Sequence, residues 1–260
     1  MRGREYILSL IPIGGFFLCW QLLAHFGSIN AALFPAPTKI LEQLSTLLYQ
    51  EVGGRSVLIG HLVATLTRLL LAAAEGMAAG VAMGIFIGLS QRAYRFFDPL
   101  ITWVMPIPGI AMAPLFIVWM GFGNPTIITV GAIATFFPIA YNTSTGIRSI
   151  DNQLVRAAQI MGANRLAVLS QVYIPWAAVY LFTGVKLGLA RCWRTVIAVE
   201  FIAAANWGLG YMIWDAAEYL RAGIVYGGII LLAVIFTIIE KGLIVPFERI
   251  TIEKWGMVRS

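Results

Sequence analysis

Charged residues are scarce in this chain of 260 residues. Asp, Glu, Lys and Arg together make up 12% of it, whereas 60% of the residues are hydrophobic. Soluble domains usually carry about a quarter charged residues, and the mean hydropathy here is +0.84. So few charges cannot cover the surface of a water-soluble globule. The composition therefore argues against a soluble domain and indicates a protein whose solvent is lipid.

Cysteine and histidine are also rare, which limits the chemistry that the chain can perform. The two cysteines, Cys19 and Cys192, lie in apolar runs and have neither the number of a disulfide framework nor the spacing of a metal site. The two histidines, His25 and His61, stand far apart near the ends of apolar runs. We therefore predict no metal site and no catalytic residues, and a membrane enzyme is disfavoured.

Six apolar stretches are long enough to cross a bilayer. About 20 helical residues span a hydrocarbon core of about 30 Å, and a backbone in lipid must satisfy its own hydrogen bonds. The first stretch lacks a cleavage-site pattern, so we interpret it as a span and not as a signal peptide. We expect an all-α polytopic membrane protein with one transmembrane domain over 1–260 and spans at 7–26, 61–90, 100–121, 126–146, 175–205 and 224–246.

Lysine and arginine are distributed unevenly over the two sides that these spans define. With the N-terminus inside, eleven fall in inside segments, three in outside segments and four within or near spans. Positive residues favour the cytoplasmic side, so we predict an inner-membrane protein with both termini in the cytoplasm. The net charge of +6 thus reflects topology and predicts no nucleic-acid partner. The eleven inside residues are Arg2, Arg4, Arg92, Arg95, Arg148, Arg156, Arg165, Lys241, Arg249, Lys254 and Arg259.

Two of the predicted spans carry residues that alter helix packing. In the third span, Pro106, Pro108 and Pro114 each remove a backbone donor and kink or loosen the helix. Irregular backbone at membrane depth is tolerated where it lines a cavity or is buried in protein, so we expect this span beside a pathway, with simple kinked packing as the alternative. In the second span, small residues share one face that lets another helix approach closely: Ala72, Gly76, Gly80, Gly84 and Gly88.

The segment 148–173, on the predicted inside, has the pattern of two short helices around a glycine. Asp151 can cap the first helix, and Gly162 can end it with a positive φ. Asn164 can cap the second helix, which carries Leu166. We expect a projection from the membrane that offers an apolar face to a partner. The apolar positions of the first helix follow at helical spacing: Leu154, Ala157, Ala158 and Met161.

This segment resembles the EAA signature of permease subunits from ATP-binding-cassette (ABC) importers, roughly E-A-A, three residues, G, nine residues and I-x-L-P. The matching residues here are Arg156, Ala157, Ala158, Gly162 and then Ile174-Pro175, with Arg156 in place of the acidic residue. The resemblance implies a type I ABC importer permease fold, in which this loop is the coupling helix that docks in a groove of the cytoplasmic ATPase. The residues expected to take part are Asp151, Leu154, Arg156, Ala157, Ala158, Met161, Gly162, Ala163 and Leu166.

Other segments extend the resemblance over most of the chain. LFPAPTKIL, DPLITWVMPIPGIAMAPLFIVWMGFG, FFPIAYNTSTGIRSID, GLGYMIWDAAEYL and ERITIEKWGM resemble permeases for nitrate, aliphatic sulfonates, taurine and bicarbonate. The resemblance implies alternating-access import of a small anionic solute, an extracytoplasmic binding protein and a second permease copy in a homodimer. It also implies separate ATPase subunits that bind ATP and Mg, since this chain has no GxxxxGK[ST] run. A secondary carrier or channel without an ATPase is the alternative.

Ionisable residues at membrane depth are costly and usually mark a function or a partner. One hypothesis is that the cations of the fifth span face the central cavity and favour an anion in transit. The alternative pairs Glu75 with Lys186 and Arg194 with Glu200, which leaves no net cavity charge. The predicted pathway residues are Pro106, Pro108, Asn142, Lys186, Arg191, Arg194 and Glu200.

Overall fold

The computed structural model describes residues 2–27, 30 and 32–246, and most of them are helical. Side chains are described from residue 11 onward, with Leu243 excepted. Three of the predicted inside residues, Arg249, Lys254 and Arg259, lie outside the described part, as does the ERITIEKWGM segment. For Arg2 and Arg4, only the backbone is described. The fold divides into two compact units, Met1–Ala64 with Asn206–Val234, and Thr65–Ala205 with Ile235–Ser260.

The first unit contains helices and one short hairpin. Its complete elements are α1 (Arg2–Phe26), α2 (Pro37–Tyr49), β1 (Glu51–Val52), β2 (Arg55–Ser56) and α10 (Leu209–Glu218). The two strands pair antiparallel, and the residues between them, Gly53 and Gly54, have φ of +62° and +75°. A two-residue hairpin turn needs positive φ at both positions, which glycine adopts without strain.

The second unit holds most of the apolar helices. The complete helices here are α4 (Gln91–Val104), α5 (Gly109–Met120), α6 (Asn124–Arg148), α7 (Asn152–Ile160), α8 (Arg165–Val168) and α9 (Ile174–Ala203). Two further helices, α3 (Val57–Leu89) and α11 (Ala222–Ile239), contribute residues to both units. Short π-helical segments, Leu169–Tyr173 and Glu240–Ile244, precede α9 and follow α11.

Helix α6 packs between α3 and α9 through small residues on both of those helices. A Cβ added at Gly80 would stand 2.9 Å from the carbonyl oxygen of Phe136, and one at Gly188 would stand 3.0 Å from that of Thr135. Distances this short to backbone atoms leave no room for a side chain, so the glycines allow the close approach. The four glycines of α3 that meet α6 are Gly76, Gly80, Gly84 and Gly88.

The predicted apolar stretches correspond to helices that differ in length and continuity. Within the described residues, four helical segments are long and apolar enough to cross a membrane, and α1 contributes a shorter apolar helix, Ile11–Phe26. Within the predicted span 100–121, the helix is broken: α4 and α5 meet at 100°. Pro106 and Pro108 lie in the break, and Pro108 is the N-cap of α5. The four long segments are Val57–Leu89, Asn124–Arg148, Arg165–Ala203 and Ala222–Gly242.

Candidate functional site

The segment 148–173 folds as a helix, a glycine turn and a second helix, and we call it the coupling loop. The carboxylate of Asp151 accepts a hydrogen bond from the Gln153 backbone N–H at 2.8 Å and so caps α7. Gly162 has φ of +89° and reverses the chain. The side-chain oxygen of Asn164 then accepts from the Ala167 N–H at 2.8 Å and caps α8. Both caps satisfy backbone donors that a helix leaves free at its N-terminus.

A small apolar core holds the coupling loop together. Ala158 belongs to this core, and Ala163 packs against it. These two predicted docking residues therefore face the interior of the loop, at least in part, and link its two helices. The buried members of the core are Ile150, Val155, Ala158 and Val168.

The outer surface of the coupling loop is strongly apolar. Ile160, Met161 and Leu166 are 86%, 81% and 75% exposed, and Leu154 is 47% exposed. Arg156 and Ala157 are exposed as well. A group of large apolar side chains exposed to solvent marks an interaction surface. Sequence reasoning missed Ile160, although its place beside Met161 at the end of α7 could have revealed it.

The coupling loop is tied to α4 at the point where α6 ends. The guanidinium of Arg148 lies 3.8 Å from the ring centroid of Tyr94, and its Nη2 donates to Gln91 Oε1 at 2.6 Å. A guanidinium over an aromatic face is attracted by the ring quadrupole. The indole N–H of Trp176, at the start of α9, donates to the Ser149 hydroxyl at 3.1 Å. These contacts connect the loop to α4, α6 and α9.

A cavity of about 310 Å³ opens at the break between α4 and α5. Its walls come from the 104–110 linker, from α6 and from α9. Pro106 and Pro108 line it, as do Arg191 and Arg194. None of the described residues that line the cavity is Asp or Glu. The wall therefore carries two positive charges without a carboxylate.

The two cavity arginines are in different situations. Arg191 is half-buried, and its Nη1 donates to the carbonyl oxygen of Met105 at 2.8 Å. That carbonyl follows the last turn of α4, where oxygens lack partners within the helix. Arg194 is exposed, and its Nε donates to the carbonyl oxygen of Ala190, one turn back in α9, at 3.1 Å.

Glu200 pairs with Arg68 and not with Arg194, so the predicted pairing of Arg194 with Glu200 is wrong. The Arg68 Nη1 atom lies 2.7 Å from Glu200 Oε1, and Glu200 is fully buried. The Thr65 hydroxyl lies 2.9 Å from the other carboxylate oxygen, and Arg68 Nε donates to the side-chain oxygen of Asn124 at 2.8 Å. Glu200 is absent from the cavity wall, so it does not cancel the charge there. Sequence reasoning missed Thr65 and Asn124, because nothing local marks them.

The remaining predicted pathway residues lie away from the cavity wall. The side-chain N–H of Asn142 donates to the carbonyl oxygen of Pro138 at 2.8 Å, within α6. Its Cβ lies 2.9 Å from where a Cβ on Gly184 would stand, so Asn142 packs between α6 and α9. Lys186 is half-buried in α9, and Glu75 is exposed on α3. The structure therefore brings Pro106, Pro108, Arg191 and Arg194 together but does not add Asn142, Lys186 or Glu200 to them.

Comparison with known proteins identifies a protein family. Residues 76–240 match the family described as binding-protein-dependent transport system inner membrane component. The chain is 34% identical over 249 residues to the taurine transport system permease protein TauC of Escherichia coli, covering 96% of this chain and 90% of that protein. It is 32% identical to the putative aliphatic sulfonates transport permease protein SsuC of Bacillus subtilis, covering 83% and 76% of the two chains. The bicarbonate transport system permease protein CmpB of Synechococcus elongatus is 30% identical, with 82% and 77% covered.

A solved structure supports the fold. The chain resembles an inward-facing structure of the MetNI methionine ABC transporter with a TM-score of 0.62. The match covers 71% of this chain and 92% of that one, at 19% sequence identity, so it bears on the fold alone. The family match extends over more than half of the sequence. The chain therefore belongs to the binding-protein-dependent transport system inner membrane components, and it is the membrane-spanning permease subunit of an ABC importer, not an enzyme.

Proposed function

We propose that this permease imports a small anion of the sulfonate or bicarbonate type by alternating access. The observation that carries this proposal is the cavity wall, which contains Arg191 and Arg194 and, among the described residues, no carboxylate. A cleft of one charge sign with apolar walls concentrates the opposite charge. The named cargoes of TauC, SsuC and CmpB are taurine, aliphatic sulfonates and bicarbonate, and each presents an anionic oxygen head group that fits this charge. Taurine also carries an ammonium group, so its sulfonate and not its net charge would be recognised.

The size of the cavity also favours a small cargo. Small-molecule sites usually measure about 300–1,000 Å³, and this one lies at the lower end with about 310 Å³. Apart from Thr195, its other lining side chains are apolar, including Val130, Ile133 and Phe137 from α6. An anion with a short apolar or small polar body would suit both features.

The coupling loop is proposed to be the contact with the ATPase. Its exposed apolar side chains, Leu154, Met161 and Leu166 among them, would enter a groove of that subunit. Arg156 lies on the same exposed surface and would face the rim of the groove. The ATPase subunits would bind ATP and Mg and supply the energy, and the loop would therefore lie in the cytoplasm together with both termini.

Two permease copies are proposed to enclose the pathway as a homodimer. This step follows from the family resemblance, in which one chain of this size forms half of the pathway. The binding protein would deliver the anion from outside, to the side opposite the coupling loop. The ion pair between Arg68 and Glu200 would remain intact, since it lies outside the cavity wall.

Reconstitution tests the proposal. The permease, with its cognate ATPase and binding protein in proteoliposomes, should accumulate labelled taurine, another aliphatic sulfonate or bicarbonate only when ATP is supplied. Neutral amino acids without a sulfonate group, and cationic amino acids, serve as controls and should not accumulate. ATP-driven uptake of those controls without uptake of any sulfonate or bicarbonate would contradict the proposed cargo. Uptake by the permease without the ATPase would instead favour a secondary carrier.

A further inference from the structure

We infer that the two cavity arginines have separate tasks: Arg194 binds the transported anion, and Arg191 holds the bend between α4 and α5. The inference rests on the proposed anionic cargo, and it names the residue that recognises that cargo. Both side chains line the cavity, and they lie three positions apart on α9, so they share one helix face. Their hydrogen bonds distinguish them.

Arg191 has a partner that fixes it in place. Its Nη1 atom donates at 2.8 Å to the Met105 carbonyl, 86 positions away in the sequence. The next residue, Pro106, ends the regular helix, and neither Pro106 nor Pro108 has a backbone N–H to offer. A carbonyl at a helix end needs a partner from elsewhere. Arg191 supplies it and thereby ties the broken span to α9.

Arg194 has no comparable long-range bond. Its Nε donates within α9, to the Ala190 carbonyl, at 3.1 Å. That bond orients the side chain but leaves the two terminal nitrogens, with four N–H donors between them. Within residues 2–27, 30 and 32–246, Arg194 forms no ion pair, and the carboxylate of Glu200, its expected partner, is bonded to Arg68. The exposed head group is therefore available to an anion that enters the cavity.

The guanidinium suits an oxyanion in shape as well as in charge. Its planar fork of N–H groups forms two parallel hydrogen bonds to a carboxylate-like pair of oxygens, which a lysine ammonium does not reproduce. Sulfonate and bicarbonate groups both present such oxygen pairs. Thus the same residue could accept either head group, and the apolar wall would meet the rest of the cargo.

The backbone beside Arg194 packs closely against α5, next to the cavity. Thr195, the next residue, is 8% exposed and packs against Gly109 at the start of α5. A Cβ added at Gly109 would stand 2.6 Å from the Thr195 hydroxyl oxygen. This contact keeps α5 and α9 together beside the cavity, independently of the Arg191 bond.

Two pairs of variants, Arg194→Lys with Arg194→Gln and Arg191→Lys with Arg191→Gln, test the assignment in the complete transporter. ATP-dependent anion uptake, ATP hydrolysis stimulated by loaded binding protein, and thermal stability are measured for each. Arg194→Gln should lower the uptake rate at saturating binding protein about tenfold or more, as expected for loss of a charged hydrogen bond. Its stimulated hydrolysis and stability should stay close to wild type, and Arg194→Lys should fall between the two.

The Arg191 pair should respond differently. Arg191→Gln should lower stability, uptake and stimulated hydrolysis together, because the helix bend loses its support. Arg191→Lys should keep most of the stability, uptake and stimulated hydrolysis that Arg191→Gln loses, since an ammonium can also donate to the Met105 carbonyl. If lysine largely replaces arginine at position 191 but only partly replaces it at position 194, the result supports the division of tasks.

Failure of this inference differs from failure of the proposed function. If the wild-type transporter imports anions and Arg194→Gln imports them equally fast, the assignment of Arg194 is wrong while the anionic cargo stands. If Arg191→Gln loses uptake with unchanged stability and unchanged stimulated hydrolysis, the two tasks are reversed. If the wild-type protein imports no anion at all, both the cargo and the assignment are wrong.

Discussion

Glu200 is a fully buried carboxylate in a helix long and apolar enough to cross the membrane, and its neighbours show how the charge is kept there. Arg68 lies 2.7 Å away, and the Thr65 hydroxyl lies 2.9 Å from the second oxygen. Removing one member of a buried pair leaves an uncompensated charge, which costs more than removing both. The pair therefore joins α3 to α9 only while both residues are present.

Glu200→Gln should lower the stability of the purified permease by about 3–5 kcal/mol, because Arg68 loses its counter-charge. The double variant with Arg68→Gln should be more stable than the sum of the two single changes predicts. Unfolding in detergent measures all three, with Glu75→Gln as a control on the exposed side of α3. Strictly additive losses would show that the two residues do not act as a pair.

Gly162 is the residue on which the shape of the coupling loop depends. Its φ of +89° is unfavourable for residues with a Cβ. A Cβ there would meet nothing within 4 Å, so any cost is conformational and not steric.

Gly162→Ala should therefore weaken ATPase binding by straining the turn, at a cost of about 1–2 kcal/mol. Gly162→Asn should be milder, since asparagine tolerates positive φ better. Retention of the ATPase on the immobilised permease gives the measurement. The control is Gly14→Ala, which also has open space around it but no positive φ. Equal losses from alanine at both positions would contradict this explanation.

At the scale of whole helices, α6 is the element on which its neighbours pack. A Cβ on Gly84 would stand 2.8 Å from the Ala140 carbonyl oxygen, and one on Gly184 would stand 3.1 Å from that of Pro138. Gly84→Val should separate α3 from α6 and cost about 1–3 kcal/mol, the usual cost of overpacking. Thermal unfolding in detergent gives the test. Gly15→Val in α1, where nothing lies within 4 Å, is the matched control, and an equal loss there would refute the packing argument.

Helix α4 connects the coupling loop with the cavity. One end meets Arg148 through Tyr94, and the linker after the other end meets Arg191 through the Met105 carbonyl. Tyr94→Leu should lower the uptake per ATP hydrolysed about two- to fivefold, as expected for a cation–π contact of about 0.5–1 kcal/mol. Tyr94→Phe keeps the aromatic face and should behave like wild type. If Tyr94→Leu and Tyr94→Phe both transport as well as the wild-type protein, α4 does not transmit movement between the coupling loop and the cavity.

The sequence predicts those parts of the fold that depend on local patterns. Asp151, Gly162 and Asn164 place the two helices of the coupling loop, because capping and positive φ are properties of neighbouring residues. The angle between α4 and α5 could not be predicted from the sequence, since prolines show where a helix breaks but not by how much it bends. The partner of Glu200 was also beyond reach, because Arg68 lies 132 positions away and meets it only through tertiary packing.

Orientation is a property of the whole molecule, and the distribution of basic residues predicts it. The same rule predicts that the coupling loop lies inside and that the segment between the last two spans lies outside. Ala157 and Ala217 are both exposed alanines, one in each of these regions. Single cysteines at these positions give a matched pair for labelling. Cys19 is exposed and must first be replaced, whereas Cys192 is buried.

Ala157→Cys should react with a membrane-impermeant maleimide in inside-out vesicles and not in intact cells, and Ala217→Cys should show the opposite behaviour. Labelling after detergent solubilisation provides the control for reactivity at each site. If Ala157→Cys reacts from the exterior, the coupling loop would lie on the side without ATP. Its exposed apolar surface, which includes Ile160 and Met161, would then need an extracytoplasmic partner. A cytoplasmic ATPase could not act on the cavity through this loop and α4. The side of the membrane on which this loop lies therefore decides whether the cavity arginines can belong to an ATP-driven cycle.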